Sequence, residues 1–316
     1  MQSGVRTNRV LLLCAALLFS TGGAAIKLAA LSGWQIASYR AILAALFMWL
    51  VLPGARRNWT WRTYAAGAVY AVMVVLYVLS NKLTTAANAI LLQSTYPLYL
   101  LLLGPLFLKE KLRMVDVAIV GGVILGAAII FSGSERIVAT APDPARGNIV
   151  ALASGFAWAL TIAALRWLGK RDPRAESAAS VAIAGNAIAF VACLPLAIGG
   201  PVVHQQIHQQ IHPQAIAVLV WLGVFQVGLG YVCLTRSIRH VPAVEAATLL
   251  LIEPVLNPIW AWLIHGEQPS GRALTGGAII MLAAFAGSWW QARQSAIADL
   301  TEAEAARTAQ SLPQQS

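Results

Sequence analysis

A glutamate in the middle of an apolar run is the residue of this chain best placed to do chemistry. Glu253 stands in LLLIEPVLNPIWAWL, and Asn257 follows one helical turn later on the same face. A charge at the centre of a membrane-embedded helix costs about 2.5–3.5 kcal/mol on insertion scales, so an ionisable side chain there is a functional candidate by default. Two bases are also intramembrane, Lys27 toward the outer end of the first apolar segment and Arg40 about one and a half turns into the second, which places both at a similar depth near the outer rim. An acid that holds an ammonium or a coupling proton, together with bases that draw a carboxylate, suits a zwitterion. The alternatives are structural: a protonated Glu253 hydrogen-bonded to a neighbouring helix, and long cations snorkelling to the headgroups.

Softer polar groups fall at helical spacing. Tyr70, Tyr77 and Asn81 share one face of the third apolar segment, Gln93 and Tyr96 lie within one turn of the fourth, and Ser154, Trp158 and Thr161 align on the sixth. Tyr77, Gln93, Tyr96 and Trp158 are therefore expected to shape a pocket with Glu253, Asn257, Arg40 and Lys27, although aromatic residues at this spacing also serve plain helix packing. Pro97, Pro254 and Pro258 lack backbone donors and leave the carbonyls of Gln93, Leu250 and Pro254 without their usual helical partners. Such positions suit a substrate site, a hinge or a packing kink. Asn186 and Gln226 are single polar residues at mid-segment, expected to make interhelical hydrogen bonds.

The elements that carry these residues are membrane spans. Apolar residues make up 59% of the 316, charged residues only 11%, and the mean hydropathy is +0.70, which excludes an ordinary water-soluble domain. A bilayer core needs roughly 20 apolar residues per helix. Ten segments meet that length: Val10–Leu31, Gln35–Leu52, Tyr64–Lys82, Ala86–Leu108, Val115–Phe131, Gly147–Trp167, Ala175–Ile198, Gln214–Ile238, Ala243–Ile264 and Arg272–Trp290. The first resembles a signal peptide in its flanks, and the nine that follow favour an uncleaved signal anchor. With the N-terminus placed in the cytoplasm, sixteen Lys and Arg residues fall on inner segments and four, Lys82, Arg136, Arg146 and Arg272, on outer ones. That asymmetry supports cytoplasmic termini and explains the net charge of +10 without nucleic acid. Cys14, Cys193 and Cys233 all lie in apolar segments and read as small hydrophobes.

The chain repeats itself. A shift of 157 residues places Ala86 on Ala243, Ala89 on Ala246, Leu92 on Leu249, Pro97 on Pro254, Leu106 on Leu263 and Glu110 on Glu267. Five spans per repeat force the second copy to enter the membrane from the opposite side, an inverted arrangement found in transporters with a site near the midplane. The domains expected are a cytoplasmic N-terminus (1–9), a first repeat (10–138), an inverted second repeat (147–290) and a cytoplasmic polar tail (291–316). The stretch YVCLTRSIRHVPAVEAATLLLIEPVLNPIWAWLIHGE, residues 231–267, resembles the second repeat of the drug/metabolite transporter superfamily, EamA type, and residues 81–110 resemble its first-repeat counterpart. Two positions depart from the family pattern: Thr21 stands where a tryptophan is common, and Lys109 where a glycine is usual before Glu110. The resemblance implies an all-α membrane protein of ten helices, both termini inside, with helices three, four, eight and nine around a cavity for small exported metabolites.

The segment HQQIHQQIH, from His204 to His212, has the spacing of a helical zinc site and equally that of a polar outer loop. No nucleotide loop, dinucleotide fingerprint, zincin motif or nucleophile elbow is present, so no enzyme activity and no cofactor are expected. The functional expectation is an inner-membrane exporter of small zwitterions, amino acids or their relatives, working by alternating access, with the bilayer and a possible coupling proton as its other partners. A lipophilic-cation or drug exporter is the alternative within transport, and a membrane enzyme or scaffold the alternative outside it.

Overall fold

Hydrocarbon offers backbone groups no hydrogen-bond partners, so each apolar segment closes its own N–H and C=O groups into a helix. The computed structural model describes residues 2–57, 59–103, 114–133, 137–169, 176–199, 213–238 and 240–311. Among them the only β-contact is an isolated bridge between Val138 and Ala141. Glu110, Lys109 and the His204 to His212 segment lie outside the described residues.

The helices are α1 (Gln2–Ser20), α2 (Gly22–Leu28), α3 (Gly33–Val51), α4 (Trp61–Leu83), α5 (Ala86–Gln93), α6 (Tyr96–Leu103), α7 (Met114–Phe131), α8 (Pro144–Gly169) and α9 (Glu176–Gly199). They continue as α10 (Pro213–Val220), a π-helical segment (Trp221–Leu229), α11 (Gly230–Ser237), α12 (Ala243–Leu250), α13 (Ile252–His265) and α14 (Gly271–Ser311). Nine described stretches are long and apolar enough to cross a membrane. The remaining span, expected over Ala86–Leu108, is described as α5 and α6 as far as Leu103. The fold is all-α. One helix runs past Trp290 through the polar tail to Ser311, longer than the span that hydropathy delimits.

Capping residues set several helix starts. Ser32 and Gln35 form a reciprocal capping box on α3, and the hydroxyl of Thr85 accepts the N–H of Asn88 at the start of α5. Gly266, at φ +66°, closes α13 in the left-handed conformation that glycine adopts at little cost. Around the end of the bundle where α1 begins, called here the N-terminal face, arginines lie over tryptophan rings: Arg56 over Trp49 at 4.3 Å and Arg62 over Trp167 at 5.1 Å. Such amphipathic pairs belong at the headgroup level.

Packing follows a pseudo-two-fold. The second span (α3) packs on the seventh (α9), and the fifth (α7) on the tenth (α14). The third span meets the sixth (α4 on α8) as the eighth meets the first (α11 on α1), and the second meets the eighth as the seventh meets the third. These contacts are thus related in pairs across the two halves, as two inverted five-helix repeats require. At the α7–α14 crossing the backbones touch through glycines. A Cβ on Gly126 would lie 2.5 Å from the carbonyl oxygen of Gly276 and 2.7 Å from Ile280 Cγ1, and one on Gly276 would lie 2.8 Å from Ile130 Cγ1. Small residues of this kind let membrane helices approach closely where lipid supplies no hydrophobic drive.

Gly126→Leu is expected to destabilise the bundle by about 1–3 kcal/mol through overpacking, read as a lowered unfolding temperature in detergent. Gly121→Leu, one and a half turns away with nothing within 4 Å of its would-be Cβ, leaves that temperature unchanged.

Candidate functional site

Three helix breaks fall inside the bundle. The first span bends at Thr21 between α1 and α2, the fourth at Ser94 and Thr95 between α5 and α6, and the ninth at Leu251 between α12 and α13. Ser94 and Leu251 are separated by the same 157 residues that relate Pro97 to Pro254. Both prolines sit in the first turn of a new helix, α6 or α13, where a missing N–H has no intrahelical acceptor to lose. The bend therefore comes just ahead of each proline. The hydroxyls of Ser94 and Thr95 donate to the carbonyls of Ile90 (2.8 Å) and Leu92 (2.7 Å), so side chains complete the backbone bonding at the break. Pro258 lies within α13.

The breaks at Ser94 and Leu251 border a cavity of about 500 Å³. Arg40 from α3, Tyr77 from α4, Gln93 from α5, Tyr96 from α6, Trp158 from α8 and Glu253 from α13 all line it, and Pro254 stands beside Glu253 in its wall. The third, fourth, eighth and ninth spans contribute as the family resemblance implies; Phe19 of α1, Arg40 of α3, Trp158 of α8 and Met281 of α14 extend the wall beyond them. Tyr96 and Trp158 meet edge to face at 6.4 Å. Gln93 Nε2 donates to Ser154 Oγ at 2.8 Å, and that hydroxyl donates to the Met73 carbonyl at 3.2 Å, so the amide is fixed against α8 and α4.

The two charges in the cavity do not meet. Arg40 is 3% exposed, donates from Nη2 to the Val74 carbonyl at 3.2 Å, and forms no described ion pair. Glu253 is half-buried, lines the cavity, and has no hydrogen-bond or ion-pair partner among the described residues. One base and one acid thus share an enclosed, mostly apolar space, where low polarisability strengthens whatever each group binds. Among the described residues no cluster of three His, Cys, Asp or Glu side chains gathers to hold a metal ion.

Two lining residues escaped sequence reasoning. Gln226, expected only to bridge helices, faces the cavity from the π-helical segment; its Nε2 donates to the Phe19 carbonyl at 3.4 Å and its buried Oε1 has no described donor. Tyr231 stacks edge to face with Tyr70 at 5.7 Å and Phe19 at 5.5 Å, forming a wall beside Arg40. The π-helical segment that carries Gln226 lies against α3 through two glycines, Gly228, where a Cβ would stand 2.6 Å from Phe47 Cδ1, and Gly223. A Cβ there would stand 2.8 Å from the carbonyl oxygen of Arg40, so glycine lets the widened helix lie against α3.

Two expected site residues lie elsewhere. Asn257 is fully buried behind the wall, where Nδ2 donates to Tyr77 Oη at 3.2 Å and so orients the tyrosine. Lys27 neither lines the cavity nor snorkels. Its ammonium lies 3.0 Å from Glu267 Oε2, with both side chains buried on the face opposite the N-terminus. The sequence placed Lys27 at the correct depth, but its direction followed from a partner 240 residues away.

Comparison with known proteins places these features in context. The EamA-like transporter family matches residues 9–132 and 145–288. The chain is 27% identical over 291 residues to the pseudopaline exporter CntI of Pseudomonas aeruginosa, covering 89% of this chain and 96% of that protein. It is 31% identical over 282 residues to the uncharacterised protein PA1977 of the same species, covering 86% and 89%. An uncharacterised transporter of Methanothermobacter thermautotrophicus is 25% identical over 207 residues; there the match spans 65% of this chain and 57% of the relative's length. A solved crystal structure of a protein shares the fold at TM-score 0.57 and 19% identity, over 92% of this chain and 98% of its own.

Tyr77→Phe removes the hydroxyl that satisfies the buried Asn257 amide and is expected to cost about 1–3 kcal/mol of stability. Tyr77→Phe combined with Asn257→Leu removes both partners and recovers most of that loss in the same thermal-unfolding measurement.

Proposed function

The chain belongs to the EamA-like transporter family, and from that membership we propose that it exports small zwitterionic metabolites, amino acids or their relatives, across the inner membrane by alternating access. Glu253 holds the ammonium of the substrate or a coupling proton, and Arg40 holds its carboxylate. Tyr77, Tyr96 and Trp158 shape the pocket, with Gln93 and Asn257 fixing its walls and the breaks at Pro97, Pro254 and Pro258 serving as hinges. Both termini are cytoplasmic. Lys27 has no place in this substrate site.

The observation that carries the reading is the unpaired acid and the unpaired base facing one cavity. Two lone charges in a nonpolar enclosure are costly on their own, and a ligand bearing both opposite charges relieves both at once. A relative named as a pseudopaline exporter supports the direction of transport. The aromatic lining also favours a second reading, a lipophilic cation held by ring faces and Glu253. Arg40 opposes it, because a free guanidinium repels a cationic guest.

Counterflow of radiolabelled amino acids into proteoliposomes, with and without a proton gradient, tests the proposal. Glu253→Gln is expected to lower uptake by about 10- to 100-fold, the range of one charge-assisted hydrogen bond, and to remove its pH dependence. Arg40→Met is expected to abolish the preference for an amino acid over the amine that lacks its carboxylate. Wild-type rate and pH dependence in Glu253→Gln overturn the role of that residue. Resistance of expressing cells to quaternary cations, without amino-acid counterflow, selects the second reading.

A further inference from the structure

The face opposite the N-terminus is shut by charges from both repeats. Lys27 of α2 and Glu267, two residues beyond the end of α13, form an ion pair at 3.0 Å with side chains 2% and 4% exposed. The Lys27 ammonium also donates to the carbonyl of Thr84 at 2.8 Å and to that of Thr140. Glu267 Oε1 accepts the N–H of Ala86 at 2.5 Å, the first residue of α5. One pair therefore gathers α2, the turn between α4 and α5, the link between the repeats and the end of α13. Lys82 adds a bond to the Ala29 carbonyl at 2.8 Å, and the N–H of Asp143 bonds to the Leu83 carbonyl at 3.0 Å. The cavity lies entirely on the other side of this layer: neither Lys27 nor Glu267 lines it, and its wall reaches Ile238, Val241 and Ser288 toward the N-terminal face.

The repeat explains how Glu267 arrives there. Thirteen residues separate it from Pro254, and at 1.5 Å per helical residue they span about 20 Å, from the mid-membrane break to the far face. The second copy of the Pro-to-Glu spacing thus delivers a carboxylate to the N-terminus of a first-repeat helix, where the helix dipole also favours it.

We propose that Lys27 and Glu267 are the latch of the far gate: the pair is made while the cavity faces the N-terminal side and breaks when the cavity opens on the opposite side. Desolvation makes a buried ion pair nearly balanced against two separated, hydrated ions, so the intact pair permits both states. A single remaining charge does not, since burying it without a partner is strongly unfavourable and hydration then drives the gate open. Loss of Glu267 is the more disruptive change, because it takes the carboxylate from the Lys27 ammonium and the charged acceptor from the Ala86 N–H at once. Loss of Lys27 leaves a carboxylate that still caps α5. The latch rests on the alternating-access reading above and not on the identity of the substrate.

Accessibility of the cavity tests it. In a chain with Cys14, Cys193 and Cys233 replaced by alanine, a reporter cysteine at Ser94, which lines the cavity, is labelled with a membrane-impermeant maleimide in right-side-out and in inside-out vesicles. Labelling of the parent from the N-terminal face is the baseline. Glu267→Gln is expected to raise labelling from the opposite face by roughly tenfold or more, and Lys27→Met by less. Lys27→Arg keeps the parent pattern, and the double variant Lys27→Met/Glu267→Gln returns toward it, because a neutral buried pair needs no hydration. Unchanged labelling in both single variants, or a double variant more open than either single, overturns the latch. Thermal unfolding accompanies each variant. If Glu267→Gln alone unfolds, recovery of the melting transition by added Lys27→Met supports the pairing, and failure to recover overturns it. No substrate enters the measurement, so a failed amino-acid assay leaves the latch standing, and unchanged labelling leaves the roles of Glu253 and Arg40 untouched.

Discussion

A backbone inside hydrocarbon has nothing to bond except itself, and every other feature of this protein follows from how that demand is met. Where helices run unbroken, the demand is satisfied locally and the helix turns apolar side chains such as Val72, Leu125 and Leu282 outward. Where they break, at Thr21, at Ser94 and Thr95 and at Leu251, the ends face other protein or the cavity. The hydroxyls of Thr21, Ser94 and Thr95 bond back to carbonyls of the preceding turn. Two of these breaks, at Ser94 and Leu251, line the cavity.

Duplication gives that arrangement its geometry. The breaks in the fourth and ninth spans are symmetric because each precedes one of the aligned prolines, Pro97 and Pro254, and inversion turns the two half-helices toward each other across one cavity. The axial contact between α7 and α14 is backbone against backbone at Gly126 and Gly276, a closely packed seam beside the cavity. Symmetry ends at the side chains. Tyr96 and Glu253, one residue before the aligned prolines, put a neutral ring on one half and an acid on the other, so the pocket is chemically polarised although its frame is not.

The charged residues divide accordingly. Arg40 and Glu253 line the cavity with no ion-pair partner among the described residues, whereas Lys27 and Glu267 pair where the two repeats meet. Similar positions along their helices thus conceal different surroundings: one group faces a cavity, the other a counter-charge from the opposite repeat.

The sequence by itself determined the class of fold, the inverted duplication and several side chains of the cavity wall. Hydropathy and helical period are local, and they suffice to single out Tyr77, Gln93, Tyr96, Trp158, Arg40 and Glu253 within the spans. Family resemblance supplied the grouping of spans that periodicity alone leaves open. Only the tertiary structure decided which way each polar group points. Lys27 turns from the rim to Glu267, Asn257 withdraws behind Tyr77, and Gln226 enters the cavity on a π turn that a local pattern does not announce. The physical reason is that depth and face are properties of one helix, whereas a buried side chain's direction is set by the nearest group able to satisfy it. In this bundle that group often comes from the other repeat.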